Sequence, residues 1–226
     1  MNLSKRNGIL AIWHDMVAEH EPHINDWYNH EHHNERVQID GIWTARRHVA
    51  LKGAPTYFVF YETDDTSVLG SQAYLDCVNN PSPWTQRMMP HYRNTNRLVC
   101  HRVAFLGCGQ GAYALTIRFN RPAGQSALSV DKVIERAQVA VKESGIASIQ
   151  LWELDAERTH VDSKEKEIRG QPDGSADGII VLSGISAEQV ASCAERFFNN
   201  IDLETDGVLA GETDTGLYQL IFTMGG

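Results

Sequence analysis

Cysteine is scarce in this 226-residue chain: Cys77, Cys100, Cys108 and Cys193 are the only four, and no two have CxxC spacing. They are too sparse for a disulfide framework, so the expected setting is reduced and intracellular. Positive charge is also short, with 20 Lys and Arg against 29 Asp and Glu, a formal net charge of -9. A general nucleic-acid binder needs a basic surface to neutralise phosphates, so that class is excluded. The aromatic and basic residues from Arg87 to Arg102 make a short exception that reads as solvated surface. Apolar runs of membrane-spanning length are missing, so no membrane partner is expected. Lys5-Arg6 before Gly8–Trp13 has the look of a signal peptide, but His14-Asp15 cuts the apolar run and no small-residue cleavage site follows. The expected location is the cytoplasm.

What is present suffices for a folded core: 42% hydrophobic and 22% charged residues, in one large domain or two modules. Gly8–Met16 reads as a buried strand, and Pro22–Val37 as a helix with proline in its first turn. Strands Ile42–Leu51 and Thr56–Glu62 follow, then a helix over Ser67–Val78, an irregular proline-containing segment and a strand over Arg97–Phe105. Gly107-Cys108-Gly109-Gln110-Gly111 is a joint. Its GxGxG spacing leads into a strand, whereas a nucleotide loop would open a helix. The same order then returns: strand Tyr113–Phe119, helix Val130–Glu143, strand Ala147–Leu154, a polar surface loop Asp155–Asp177 and strand Gly178–Ser183. A helix opens at Ser186-Ala187-Glu188-Gln189 with capping-box spacing and runs to about Phe198, and Leu217–Met224 closes as a strand. Architecture repeats while residue identity between the halves is slight. The expected fold is α+β: two ferredoxin-like βαββαβ halves, residues 1–110 and 111–226, whose bare antiparallel sheet faces bury each other in a barrel-like double sheet. Such packing leaves a small-molecule cavity between sheet and helices.

Chemistry concentrates in Trp27-Tyr28-Asn29-His30-Glu31-His32-His33-Asn34-Glu35-Arg36, which has no counterpart in the second half. At about 100° per residue, Ile24, Trp27, Tyr28, Glu31 and Glu35 share one face. Two carboxylates on a packed stripe must be paired, hydrogen-bonded or cavity-facing. One reading pairs Glu31 and Glu35 with Arg46, Arg47 or Arg36 at the core edge; the other has Glu31 lining the cavity with His32 on its flank, while His33 points to solvent. His30-Glu31 opens like HExxH, but Asn34 stands where the second histidine belongs, so no zinc-protease site forms and no metal is expected. Alternation sends Arg47 to the opposite face from Arg46 and His48, where it could clamp an anion or carbonyl or pair with the helix carboxylates. His14, Tyr61 and His101 each read either as satisfied core residues or as site residues. Cys100 and His101 are adjacent in a strand and point apart, so no nucleophilic dyad forms.

Trp27 to Val37, followed by Gly41-Ile42-Trp43-Thr44-Ala45-Arg46-Arg47, resembles the dimeric α/β-barrel superfamily and is most similar to its EthD-like members (relatives of the ethyl tert-butyl ether degradation protein). The shared features are an aromatic pair with a histidine one turn on, here Tyr28 and His32, then a glycine turn and a strand ending in arginine. The resemblance covers about Gly8 to Phe105; the second half matches in element order alone. It implies cofactor-free monooxygenases, isomerases, cyclases or dehydratases, decarboxylases and haem enzymes as functional kin, and a single chain building what relatives build as a dimer.

The resulting expectation is a cofactor-free enzyme moving protons on a carbonyl-bearing or aromatic metabolite. His32 would be the acid or base, Glu31 would orient or replace it, and Arg47 would polarise the carbonyl. Trp27, Tyr28, His14, Tyr61, Trp84 and His101 would surround the substrate. A non-catalytic ligand-binding protein and a metal- or haem-dependent oxygenase are the rivals. A homodimer is compatible with either.

Overall fold

The computed structural model describes residues 6–225; Lys5, of the basic pair before the first strand, lies outside them. Strands β1 (Gly8–Met16), β2 (Ile42–Lys52), β3 (Tyr57–Thr63) and β4 (Tyr92–Gly107) form the first half, with α1 (Glu21–Trp27), a π turn (Tyr28–His32), α2 (His33–Val37), α3 (Gln72–Asn79) and α4 (Pro83–Met88). The second half holds β5 (Tyr113–Phe119), α5 (Val130–Ala140), β6 (Ile146–Leu154), α6 (Ala156–Thr159), α7 (Lys164–Arg169), β7 (Gly178–Gly184), α8 (Ala187–Phe197), α9 (Asn200–Thr205) and β8 (Asp214–Gly225). Each half has the ferredoxin-like strand order, β4-β1-β3-β2 and β6-β7-β5-β8. Antiparallel pairing of β2 with β8 and of β4 with β6 closes both into one barrel. No helix among the described residues is long and apolar enough to cross a membrane.

Closure explains why β1 reads as continuously apolar. Ile9, Ala11 and Trp13 point into the barrel, while Leu10 and Ile12 pack under the helices of the first half. The barrel interior is a filled aromatic core. Trp13 stacks on Phe58 at 4.8 Å, Phe60 lies 5.4 Å from Trp152, and the Trp13 indole donates to Thr116 Oγ1 at 3.2 Å. At one end the buried Glu62 is gripped by half-buried Arg46 at 2.6 Å and by buried Arg102.

The glycine joint joins β4 to β5 as expected. A Cβ on Gly111 would lie 1.9 Å from the Gly184 carbonyl oxygen, so the chain crosses β7 where only glycine fits. Ser186 caps α8 by accepting from the Gln189 amide at 3.4 Å.

Two expectations need correction. Asp155–Asp177 is not a free surface loop: α6 and α7 lie within it and strap across the first half. Thr159 Oγ1 accepts from the Val99 amide at 2.9 Å, and Asn79 Oδ1 accepts from the Lys164 amide at 3.0 Å. The irregular segment before Arg97 is also ordered, with α4 followed by an early start of β4 at Tyr92.

Candidate functional site

The π turn decides which helix residues face inward. Between α1 and α2 it inserts a wider turn. Ile24, Tyr28, His32 and Arg36, spaced by four, therefore stay on the buried side. A regular helix would drift about 40° at each such step. His33 follows His32 inward and is wholly buried, so its expected place in solvent is overturned. Glu31 and Glu35 are rotated to the edge. Glu31 accepts from Ser82 Oγ at 2.5 Å and from the Trp27 indole at 3.2 Å, which fastens the helix to the start of α4. It is off the wall of the cavity between sheet and helices and has no arginine within ion-pair distance among the described residues, whereas Glu35 reaches Arg36 at 3.9 Å.

A partly open cavity of about 60 Å³ lies between the first-half sheet and its helices. His32, Tyr61 and Tyr92 stand on its wall with apolar Leu10, Ile12 and Met89. The strap closes it from the other half of the chain, contributing Arg158, Glu165, Lys166 and Arg169. The Glu165 carboxylate ion-pairs with Arg36, which holds α7 down on the helix. The corresponding layer of the second half is packed with leucine, isoleucine, valine and phenylalanine.

Behind the wall runs a hydrogen-bond chain whose direction follows from its end. His14 Nδ1 lies 3.4 Å from the Asp15 carbonyl oxygen, which only accepts, so Nδ1 carries the proton of the neutral ring. Nε2 is then an acceptor and takes the Tyr28 hydroxyl at 3.2 Å. Tyr28 oxygen in turn accepts from Tyr92, whose own oxygen is left as an acceptor. His33 Nδ1 pairs with Tyr61 Oη at 2.9 Å.

Burial keeps these groups uncharged. It drives the His32 pKa well below the usual imidazole value, with Arg36 adding to the effect. Burial and then Arg47 bring both His14 and His33 to about 3. Burial lifts Tyr28 to about 12 against the opposing pull of Arg47, and raises Tyr61 and Tyr92 well above their ordinary value. At neutral pH the wall therefore presents a neutral imidazole and protonated phenols. His32 Nδ1 is buried without a partner. Among the described residues no group of three or more potential metal ligands is gathered.

Of the residues singled out from sequence, the cavity wall takes His32 and Tyr61; Tyr28 and His14 stand one and two bonds behind Tyr92. Trp27 packs on His32 at 4.2 Å but lies off the wall. Arg47 is 1% exposed and sandwiched between the rings of Tyr28 at 4.4 Å and Tyr57 at 4.3 Å, with Nε and Nη2 unpartnered. Alternation placed it on the correct face, yet it acts on Tyr28 and does not touch the cavity. Trp84 is half-buried on α4, away from the wall. His101 points outward, its side chain 50% exposed, and faces Asp155 at 3.4 Å. Wall residues not foreseen include Tyr74, Tyr92, Arg97, Arg158, Glu165, Lys166 and Arg169. Arg97 and Val99 share the cavity-side face of β4, and a bulge at Asn94 (φ 48°) brings Tyr92 onto that face against simple alternation, which no sequence pattern signals; nothing local marks Glu165 or Arg169.

No family model matches the chain, and no curated protein matches it by sequence. Solved structures do match over nearly the full length. An anthrone oxidase-like protein gives a TM-score of 0.62 at 12% identity, covering 98% of this chain and 93% of that one. A candidate monooxygenase from Fusobacterium nucleatum gives 0.59 at 11%, covering 97% and 95%. A variant chlorite dismutase from Candidatus Nitrospira defluvii gives 0.55 at 11%, covering 96% and 93%. At such identities the likeness speaks for fold and not for chemistry. The chain has the ferredoxin-like, dimeric α/β-barrel fold, built here by two halves of one polypeptide.

Proposed function

We propose that the protein is a small-molecule enzyme of the EthD-like kind that moves a proton on a carbonyl-bearing or aromatic metabolite. In this reading residues 1–110 carry the site and 111–226 supply support and cover. The observation that carries it is His32, a neutral imidazole on the cavity wall with Nδ1 unpartnered, flanked by Tyr61 and Tyr92. A buried polar atom left without a hydrogen bond is costly, and a substrate group would relieve that cost. His32 takes or gives the substrate proton in a site that excludes water, and the two phenols hold the oxygen on which charge develops. His14, Tyr28 and Arg47 position Tyr92 from behind. Isomerisation, dehydration and decarboxylation all fit this arrangement.

The test is deuterium exchange of small enolisable ketones, acetylacetone first, followed by NMR with wild type and His32→Gln. Loss of general acid–base help should slow exchange about 100-fold or more while circular dichroism stays unchanged. Equal rates would remove His32 from the chemistry, and binding without exchange would make the protein a binder. A second reading has support from the oxidase-like and monooxygenase descriptions of two similar structures: the deprotonated substrate reacts directly with oxygen. Oxygen uptake that depends on His32 would favour it.

A further inference from the structure

The charges on the cavity wall do not balance. Five cationic side chains line it, Arg36, Arg97, Arg158, Lys166 and Arg169, against one carboxylate, Glu165. Four of the five have a carboxylate partner: Arg36 has Glu165, Arg158 has Asp155 at 3.2 Å, Lys166 has Asp162 at 3.0 Å and Arg169 has Asp173 at 2.8 Å. Arg97 has none within ion-pair distance among the described residues. Its guanidinium donates to Tyr74 Oη at 3.1 Å, a neutral partner that also lines the cavity. Asp173 and Glu165 act on Arg97 only at longer range; a cation on the wall whose direct partner is a phenol keeps fork-shaped donor capacity suited to a carboxylate.

Size narrows the ligand further. A space of about 60 Å³ accommodates roughly four waters at 10–15 Å³ each. At about 30 Å³ of liquid volume per water this is room for a compound of only a few non-hydrogen atoms, far below the 300–1,000 Å³ of an ordinary drug-sized site.

We propose that the cavity takes a small organic monoanion, a short keto acid or hydroxy acid, with its carboxylate on Arg97 and its reacting carbon toward His32 and Tyr92. This rests on the proposed function and names the substrate class of that site. Arg97 sets specificity by charge, and Leu10, Ile12 and Met89 enclose the uncharged end. Because the strap carries Glu165 and Arg169, the anion also completes the contact between the two halves.

Two nearly isosteric probes separate charge from shape: acetoacetate and acetylacetone. Titration of the full chain by calorimetry at pH 7 should show acetoacetate binding at least 10-fold tighter. Arg97→Met should remove that preference by weakening acetoacetate 10-fold or more while leaving acetylacetone unchanged, and Arg97→Lys should recover part of it. Acetylacetone binding as tightly as acetoacetate in wild type would overturn the proposal and leave the site reading standing. Unchanged acetoacetate affinity in both Arg97 variants would do the same. Failure of both probes to bind would overturn the two together.

Discussion

Acidification from pH 7 should unfold this protein cooperatively between about pH 6 and 4.5, with the uptake of about four protons per molecule. The cause is four histidines built into the core as neutral rings: His14, His32, His33 and His48. Burial and Arg47 hold His14 and His33 at about 3, and burial holds His48 at about 4 despite its hydrogen bond to the Phe58 carbonyl. His32 is shifted in the same direction. In the unfolded chain each would titrate near 6.5. Above that pH neither state binds the proton and stability is complete. Below it only the unfolded state does, so stability falls until the folded values near 3–4 are reached. Each ring removes up to about 1.4 kcal/mol per pH unit, so four remove roughly 5 kcal/mol per unit. Two such units remove about 11 kcal/mol, which exceeds the stability of a domain in the lower and middle part of the usual 5–15 kcal/mol range. Denaturant midpoints against pH, read by the fluorescence of buried Trp13, Trp27 and Trp152, give the slope directly. His48→Phe should lower the proton count by about one. A midpoint that stays flat from pH 7 to 5 would show that these rings are not neutral in the folded state.

Glu62→Gln should be the most destabilising conservative change in the barrel, at about 3–5 kcal/mol. Glu62 is 2% exposed and holds Arg46 and Arg102 together inside the sheet. Its burial favours the protonated acid, but the two guanidiniums outweigh that and hold its pKa at about 2. The ion triad therefore contributes its full stability above the unfolded carboxylate value near 4.5 and loses it only as pH falls toward 2, below the histidine window. Removing the one anion leaves buried Arg102 beside half-buried Arg46 with no carboxylate between them. Replacing Arg46, Glu62 and Arg102 together by apolar residues of similar volume should cost much less. Urea denaturation of the single and triple variants separates the cases: equal losses would mean that the triad is worth its gross attraction, contrary to the desolvation argument.

Much of the fold was legible because strands in a closed barrel bury both faces. β1 and β5 read as short apolar runs between turn residues, and their bounds follow from sequence. The glycine joint and the Ser186 cap were legible for local reasons, a backbone close approach and a side-chain acceptor. The site was only partly legible. Regular helical spacing put Glu31 inward and His33 outward, and one π turn exchanged them. Tyr92 was hidden because the polar residues Arg93 to Asn96 mask the early start of β4, whereas Arg97 was placed in the strand but not recognised as a wall residue. Glu165 and Arg169 reach the cavity through topology alone, because β6 pairs with β4 and delivers the following strap over the other half.

That strap has a kinetic consequence. Were the halves separate chains, covering the cavity would be a bimolecular event, and occupancy would fall on dilution. With both halves on one polypeptide, α7 meets the cavity at an effective concentration set by the fold alone. Capture of a ligand should then be independent of protein concentration down to the most dilute solutions. Uncovering the cavity requires breaking the Arg36–Glu165 contact together with the other bonds that hold the strap to the first half.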